Sequence, residues 1–373
     1  MKLVVPAETR TGERRVAVVP DLVGKLTALG LEVIVEAGAG TESGATDAAY
    51  TAAGATVTNK IAAELKTADI VATVRPLAPA KAKTLKPGAV TLSFLAPSTD
   101  GTEIKALAAA GVTALSFELV PRISRAQSMD ALTSQALCAG YRAALVGAEL
   151  LPKFFPMLMT AAGTVQPANV LVLGAGVAGL QAIATAKRLG ARVSAYDVRP
   201  SSADEVKSMG ATFIQLDLEA LDGGGGYAKE MTEDRAARQR ELLTPHIAKS
   251  DVVITTAAVP GRRAPLLVTE EMVSTMKPGS VVVDLASETG GNVEGSEPGE
   301  TLMYDVDGGH VLVWGGQDVP SQLPVHASRL FAANVHALLS LFVKNGEGEP
   351  DIEDEIIDGC AVVLRGEIRK EVA

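Results

Sequence analysis

Val170-Leu-Val-Leu-Gly-Ala-Gly-Val-Ala-Gly179 is the stretch that decides the fold: an apolar strand running straight into G-x-G-x-x-G. The three glycines have separate tasks. Gly174 permits a tight turn, Gly176 lets backbone approach a pyrophosphate, and Gly179 lets a helix pack close to the sheet. A helix over residues 177–189 then points its N-terminal amides and positive dipole end at the phosphates, so Ala175, Val177 and Ala178 join the candidate cofactor contacts. A second strand, 192–196, ends at Asp197, where a carboxylate accepts both adenosine ribose hydroxyls and repels a 2′-phosphate. With Val198 and Arg199 beside it, this end favours NAD(H), and Arg199 keeps NADP(H) open. The alternative is a glycine-rich turn with Asp197 as a helix cap.

Outward from this unit, apolar runs alternate with helical patterns, as in parallel sheets covered on both faces. The expected strands are 3–6, 32–36, 70–74, 90–95 and 113–119, then 170–173, 192–196, 212–216, 252–256, 281–285 and 311–313. Helices are expected at 21–29, 102–110, 130–151 and 325–343, with Gly30 and Gly111 ending the first two. The run 360–364 is expected to pair with some strand. The fold class is α/β: two Rossmann-like, doubly wound parallel-sheet domains separated by a cleft and linked by long helices. Residues 1–133 with 322–373 form the N-terminal domain, and 134–321 the NAD(H)-binding domain.

With 373 residues, 47% hydrophobic and 21% charged, the chain is globular and long enough for two cores. Its net charge of −10 disfavours nucleic acid and anionic membrane surfaces, which need a basic face. The acidic tract 347–355 reads as a solvated segment. No apolar stretch reaches the roughly 18–20 residues that span a bilayer, and the first ten residues lack a signal-peptide core. A cytoplasmic protein without direct membrane insertion is expected. Cys138 and Cys360 have neither disulfide-framework nor metal-ligand spacing, and no metal is expected. His246, His310, His326 and His336 lie outside every motif.

Pro121-Arg-Ile-Ser-Arg-Ala-Gln-Ser-Met-Asp130 is no generic dehydrogenase segment. Together with Met159-Thr-Ala-Ala-Gly-Thr164, residues 174–190 and Gly226-Tyr-Ala-Lys-Glu-Met231, it resembles the NAD(H)-binding components of proton-translocating nicotinamide nucleotide transhydrogenases. These belong with the alanine dehydrogenases in one family, and the resemblance runs from residue 6 to about 355. It implies that Asp130 orients the nicotinamide carboxamide and that Arg122 holds the same end. Gln127 would reach toward the second nucleotide, and Thr133 stands where the family usually has Ser. It also implies that Gly223–Gly226 hinge a loop closing over NAD(H), with Tyr227 and Met231 near its tip. A homodimer, a membrane-embedded partner and a separate NADP(H)-binding subunit are likewise implied, with peripheral attachment to the inner membrane through those subunits.

Blander readings stand beside these. Ser128 or Asp130 would cap a helix, Arg125 would pair with Asp130, and the glycines at 223–226 would be a plain linker. Ala257, in Thr255-Thr-Ala-Ala-Val-Pro-Gly261, follows a strand expected to end at the ligand crevice. Glu288 would bond the nicotinamide ribose or cap the Gly290-Gly291 turn.

The chemistry implied is direct hydride transfer from NADH to NADP⁺, which needs proximity, orientation and exclusion of water but no general acid or base. Alanine dehydrogenases use a Lys and a His at places that here read Thr73-Val-Arg75 and Phe94-Leu-Ala96. Arg75 cannot serve as a base. Only Arg15 matches a carboxylate-binding Arg of those enzymes. An alanine dehydrogenase-like oxidoreductase and a catalytically silent NAD(H)-binding module are the alternatives.

Overall fold

The structure is a computed structural model that describes residues 1–97, 101–218, 232–259 and 261–369. The chain divides into two compact units, Met1–Gln135 with Pro320–Ala373, and Ala136–Val319.

The first unit opens with β1 (Lys2–Val5), β2 (Glu32–Glu36), β3 (Thr56–Thr58), β4 (Ile70–Ala72), β5 (Val90–Ser93) and β6 (Thr113–Ser116). These six are parallel in the order β6-β5-β4-β1-β2-β3, a doubly wound arrangement. Alternate residues serve opposite layers, as the two-residue strand period requires. Leu3, Val5, Val33 and Val35 join one core, while Val4, Ile34 and Val71 face another with Ile61, Leu65 and Leu107. β4 and β5 end two residues short of the expected bounds. The cause is side-chain capture: Glu8 accepts the amides of Val74 and Arg75, and Glu118 those of Leu95 and Ala96. β6 stops at Ser116, where a 3-10 turn, Phe117–Leu119, replaces the expected strand end. β3 was not expected from its three residues.

In the second unit, β7 (Leu158–Thr160) and β8 (Gly163–Val165) form a separate antiparallel pair, every residue of which is exposed. There follow β9 (Asn169–Leu173), β10 (Arg192–Tyr196), β11 (Thr212–Phe213), β12 (Val252–Thr255), β13 (Val281–Asp284), β14 (Thr301–Val306) and β15 (Gly309–Gly315). Their order is β11-β10-β9-β12-β13-β15-β14, parallel except for β14. The strand order reverses between β9 and β12, and Leu173 lies opposite Thr255. That reversal is the switch point at which open α/β sheets bind ligands. Val170, Val172 and Ile254 pack with Ile183 on one face; Leu171, Leu173 and Val253 pack with Leu243 and Ile247 on the other.

The chain then returns to the first unit. Helix Pro324–Phe342 starts with Pro at its first turn and buries Phe331, Val335, Leu338 and Leu339 in the core with Leu3 and Val5. β16 (Ala361–Leu364) pairs antiparallel with β6, and β17 (Glu367–Ile368) lies outermost.

Candidate functional site

The dinucleotide turn is built by steric demand. Gly174 has φ +100°, which L side chains rarely adopt. A Cβ on Gly179 would stand 1.9 Å from the Gly174 carbonyl oxygen, so only glycine lets helix Val177–Arg188 close on the turn. Gly176 differs: a Cβ there would meet nothing within 4 Å, and its φ of −76° is ordinary. Glycine is therefore not needed there to fit the protein, and the open space admits a ligand. First-turn amides of a helix have no partner within the helix, so Val177 and Ala178 present a site suited to a pyrophosphate. Ala175 is buried and its amide bonds Asp197 Oδ2 at 2.7 Å, placing it in support of the turn.

Asp197 is largely buried at the end of β10. Besides Ala175, its carboxylate accepts the Arg199 amide, Nε and Nη2, each at 2.9 Å. Val198 lines a cavity of about 230 Å³ with Tyr196, Asp197, Phe213 and Leu216.

On the other side of the switch point, Thr256 Oγ1 donates to the Gly174 carbonyl at 3.1 Å. Ala257 is pinned twice by Asn292, whose Oδ1 accepts its amide at 2.9 Å and whose Nδ2 donates to its carbonyl at 2.8 Å. Asn292 is fully buried, and its own amide bonds Asp284. Burial pushes the Asp284 carboxyl above its usual range, against donors that include Ala286 and Thr255. Neither Asn292 nor Asp284 was singled out from sequence. The available signal was a polar residue directly after the Gly290-Gly291 pair, in the loop that follows a strand. Glu288 is exposed in the 3-10 turn Ser287–Thr289 and accepts the Asp318 amide at 3.0 Å.

Tyr227 apart, the remaining predicted residues belong to the first unit. Residues Ser124–Met129 form a 3-10 helix, and Asp130 leads into helix Ala131–Leu150. Asp130 Oδ1 accepts the Thr133 amide at 2.9 Å and Oδ2 accepts its hydroxyl at 2.6 Å. This caps the helix, yet each oxygen keeps a lone pair for another donor. The loop is anchored from helix Pro324–Phe342, where Asn334 Nδ2 donates to the Ser128 carbonyl and its Oδ1 accepts from Ser134. Arg122 and Gln127 are exposed. The pairing of Arg125 with Asp130 does not occur. Arg125 forms a fork on Asp354, at 2.7 and 2.8 Å, because the chain's return brings that acidic segment to it. Tyr227 and Met231, with the glycines before them, lie outside the described residues.

A second cluster of the first unit occupies the alanine dehydrogenase-like positions. Arg15 donates to Glu13 through Nε (2.7 Å) and Nη2 (2.6 Å), and through Nη1 to Gln135 (2.8 Å). Arg75 Nε adds a bond to the same carboxylate at 2.9 Å, the Arg15 amide another at 3.0 Å, and Ser321 a fifth at 3.0 Å. Burial acts to raise the Glu13 carboxyl, but the Arg15 fork and the Arg75 charge outweigh it and hold it down to about 2. Nearby Glu8 is pushed up to about 7, chiefly by burial, with the Glu13 charge adding to it against the Val74 and Arg75 amides. Ala96, with φ +44°, offers only a methyl group.

Among the described residues, no group of three His, Cys, Asp or Glu side chains could hold a metal. No helix there is long and apolar enough to cross a membrane. Burial lowers His246 and His336 below the usual imidazole range. Arg122, Gln127, Asp130 and Thr133 are thus held by one unit. The glycine turn, Asp197, Val198, Arg199, Ala257 and Glu288 are held by the other.

Residues 4–139 match the family "Alanine dehydrogenase/PNT, N-terminal domain", and residues 143–371 its C-terminal domain. The first part of the NAD(P) transhydrogenase alpha subunit of Rhodospirillum rubrum is 48% identical over 378 aligned positions, covering 99% of this chain and 97% of that protein. A transhydrogenase crystal structure from Sinorhizobium meliloti superposes with a TM-score of 0.85 at 43% identity, covering 99% and 98% of the two chains. Alanine dehydrogenase of Mycobacterium tuberculosis is 34% identical over 80% of this chain and 76% of its own. With the dinucleotide turn in place and both halves matched, the chain belongs to the alanine dehydrogenase/PNT family.

Proposed function

We propose that this chain is the NAD(H)-binding subunit of a proton-translocating transhydrogenase. It passes hydride from NADH to NADP⁺ held by a partner subunit, while protons move through a separate membrane component. The observation that carries the choice within the family is the Glu13 carboxylate closed on Arg15 and Arg75. A small carboxylate substrate would have to displace it from both guanidiniums. With Arg75 and Ala96 at the other two positions, neither the Lys nor the His that alanine dehydrogenases use is present to move a proton for an amino-acid substrate.

In this reading, bound nicotinamide supplies the hydride chemistry and the protein orients it. Gly174, Gly176 and Gly179 shape the turn, and the Val177 and Ala178 amides bind pyrophosphate. Asp197 takes the adenosine ribose, while Val198 and Ala257 line the same end. Asp130, aided by Thr133, orients the carboxamide through its remaining lone pairs; Arg122 holds the ring end and Glu288 the second ribose. Gln127, exposed on its loop, reaches toward the partner's nucleotide, and Tyr227 closes over the site. The likeness to a chain named as an alpha subunit supports a complex with further subunits, and through them peripheral attachment to the membrane. A homodimer is supported by the exposed β7–β8 pair, where Met159 is 80% exposed and Phe154 and Met157 lie close by in sequence.

Reconstitution with an NADP(H)-binding component tests the proposal, following hydride transfer from NADH to an NADP⁺ analogue with a distinct absorbance. Transfer is expected. Binding of NADH without transfer would make the chain a silent module, and alanine-dependent NAD⁺ reduction by the chain alone would make it a dehydrogenase.

A further inference from the structure

The Asp197 carboxylate has four lone-pair positions, and all four receive a donor from the protein itself. Two come from the main chain, the amides of Ala175 and Arg199, and are fixed by the turn. The other two come from the guanidinium of Arg199, through Nε and Nη2. A ribose diol presents two hydroxyl donors to such a carboxylate. The exchange is therefore two for two: the diol can bond Asp197 only where the guanidinium has left.

From this we propose that Arg199 is a built-in competitor for the ribose-recognising carboxylate, displaced when NAD(H) binds, and a determinant of which dinucleotide the site prefers. The inference rests on the reading of Asp197 as the ribose acceptor. Charge-assisted, two-pronged contacts of this kind are the strong class of hydrogen bond, so their loss is a tax on every binding event. Arg199 is 19% exposed and Asp197 only 7%, so the guanidinium is the partner able to swing outward while the carboxylate stays. Once displaced, its positive charge remains tethered two residues from Asp197. There it offsets the repulsion that Asp197 exerts on a 2′-phosphate. Arg199 thus weakens NAD(H) and spares NADP(H) at the same position.

Calorimetric titration of NADH and NADPH into the full chain tests this. Arg199→Gln is expected to bind NADH on the order of tenfold tighter, the loss of one strong competing contact, with NADPH no tighter. Arg199→Lys, which keeps the charge but not the fork, should fall between. Asp197→Asn should lose NADH affinity and abolish the gain when combined with Arg199→Gln. Unchanged or weaker NADH binding by a folded Arg199→Gln protein overturns the competition. Wild-type NADH affinity in Asp197→Asn would instead overturn the ribose assignment, and the competition with it. An independent readout is the Arg199 Nε–H resonance of the wild-type chain. It should lose its protection from solvent exchange as NADH saturates; full protection at saturation also rejects the displacement.

Discussion

The two units carry related doubly wound sheets, and their strand ends are finished in opposite ways. In the first, Glu13 reaches Arg15 and Arg75, and Glu8 and Glu118 cap the ends of β4 and β5. In the second, the turn after β9 leaves one approach open: Gly176 has nothing within 4 Å of where its Cβ would be. Parallel sheets of this kind present a ligand position at their carboxyl ends by default. One unit fills that position with its own charges; the other leaves the approach to Gly176 open and sets the Asp197–Arg199 pair at the end of the neighbouring strand. Fold alone therefore does not say which end is a site; the local atoms do.

Three substitutions test the contrast. Glu13→Gln should have the largest effect, because it strands two guanidiniums around a buried site; breaking such a pair costs about 3–5 kcal/mol. Denaturant unfolding reads this directly, and wild-type stability would mean that the first unit's strand ends are not held by this network.

Next, Gly176→Ala should leave stability within about 0.5 kcal/mol while weakening NADH roughly tenfold or more, by occupying the approach of the pyrophosphate. Undiminished NADH affinity would remove the meaning given to that open space.

The third test is a pH effect. Folded Glu8 holds its proton up to about 7 against 4.5 unperturbed, so the folded chain binds more protons between those values. Its stabilising contribution is complete below 4.5 and fades as pH rises through 7. Glu13 has the opposite sign, contributing above 4.5 and losing its contribution as pH falls toward 2. Thermal midpoints of Glu8→Gln should therefore decline less than wild type from pH 4.5 to 7, and equal slopes would reject the assignment.

What was legible in the sequence was local. Ten residues dictate the glycine turn, because Gly174 and Gly179 answer backbone demands met within a few positions. Asp130 shows a subtler case, since helix capping and carboxamide binding use different lone pairs of the same carboxylate, and the sequence supports both. The Glu13 network was not legible, as Arg75, Gln135 and Ser321 reach it only after folding. For the same reason Arg125 finds Asp354, 229 positions away, instead of Asp130. The apolar pattern overran the ends of β4 and β5 because periodicity cannot register a carboxylate that takes an amide out of the ladder. In β14, Leu302, Tyr304 and Val306 are only half-buried, which leaves a weak alternating signal.

The return of the chain to the first unit has a consequence for synthesis. Residues 361–363 are fully buried in β16 beside β6, and helix Pro324–Phe342 fills the core against β1. During translation the second unit, residues 136–319, is released whole while the first still lacks these pieces. Domains fold as units as they emerge, so the later-encoded unit is the earlier to fold. Until residues 324–364 leave the ribosome, the unfinished face of β6 and the apolar surface awaiting Phe331 stay uncovered, and that interval is where nascent chains would call on chaperones.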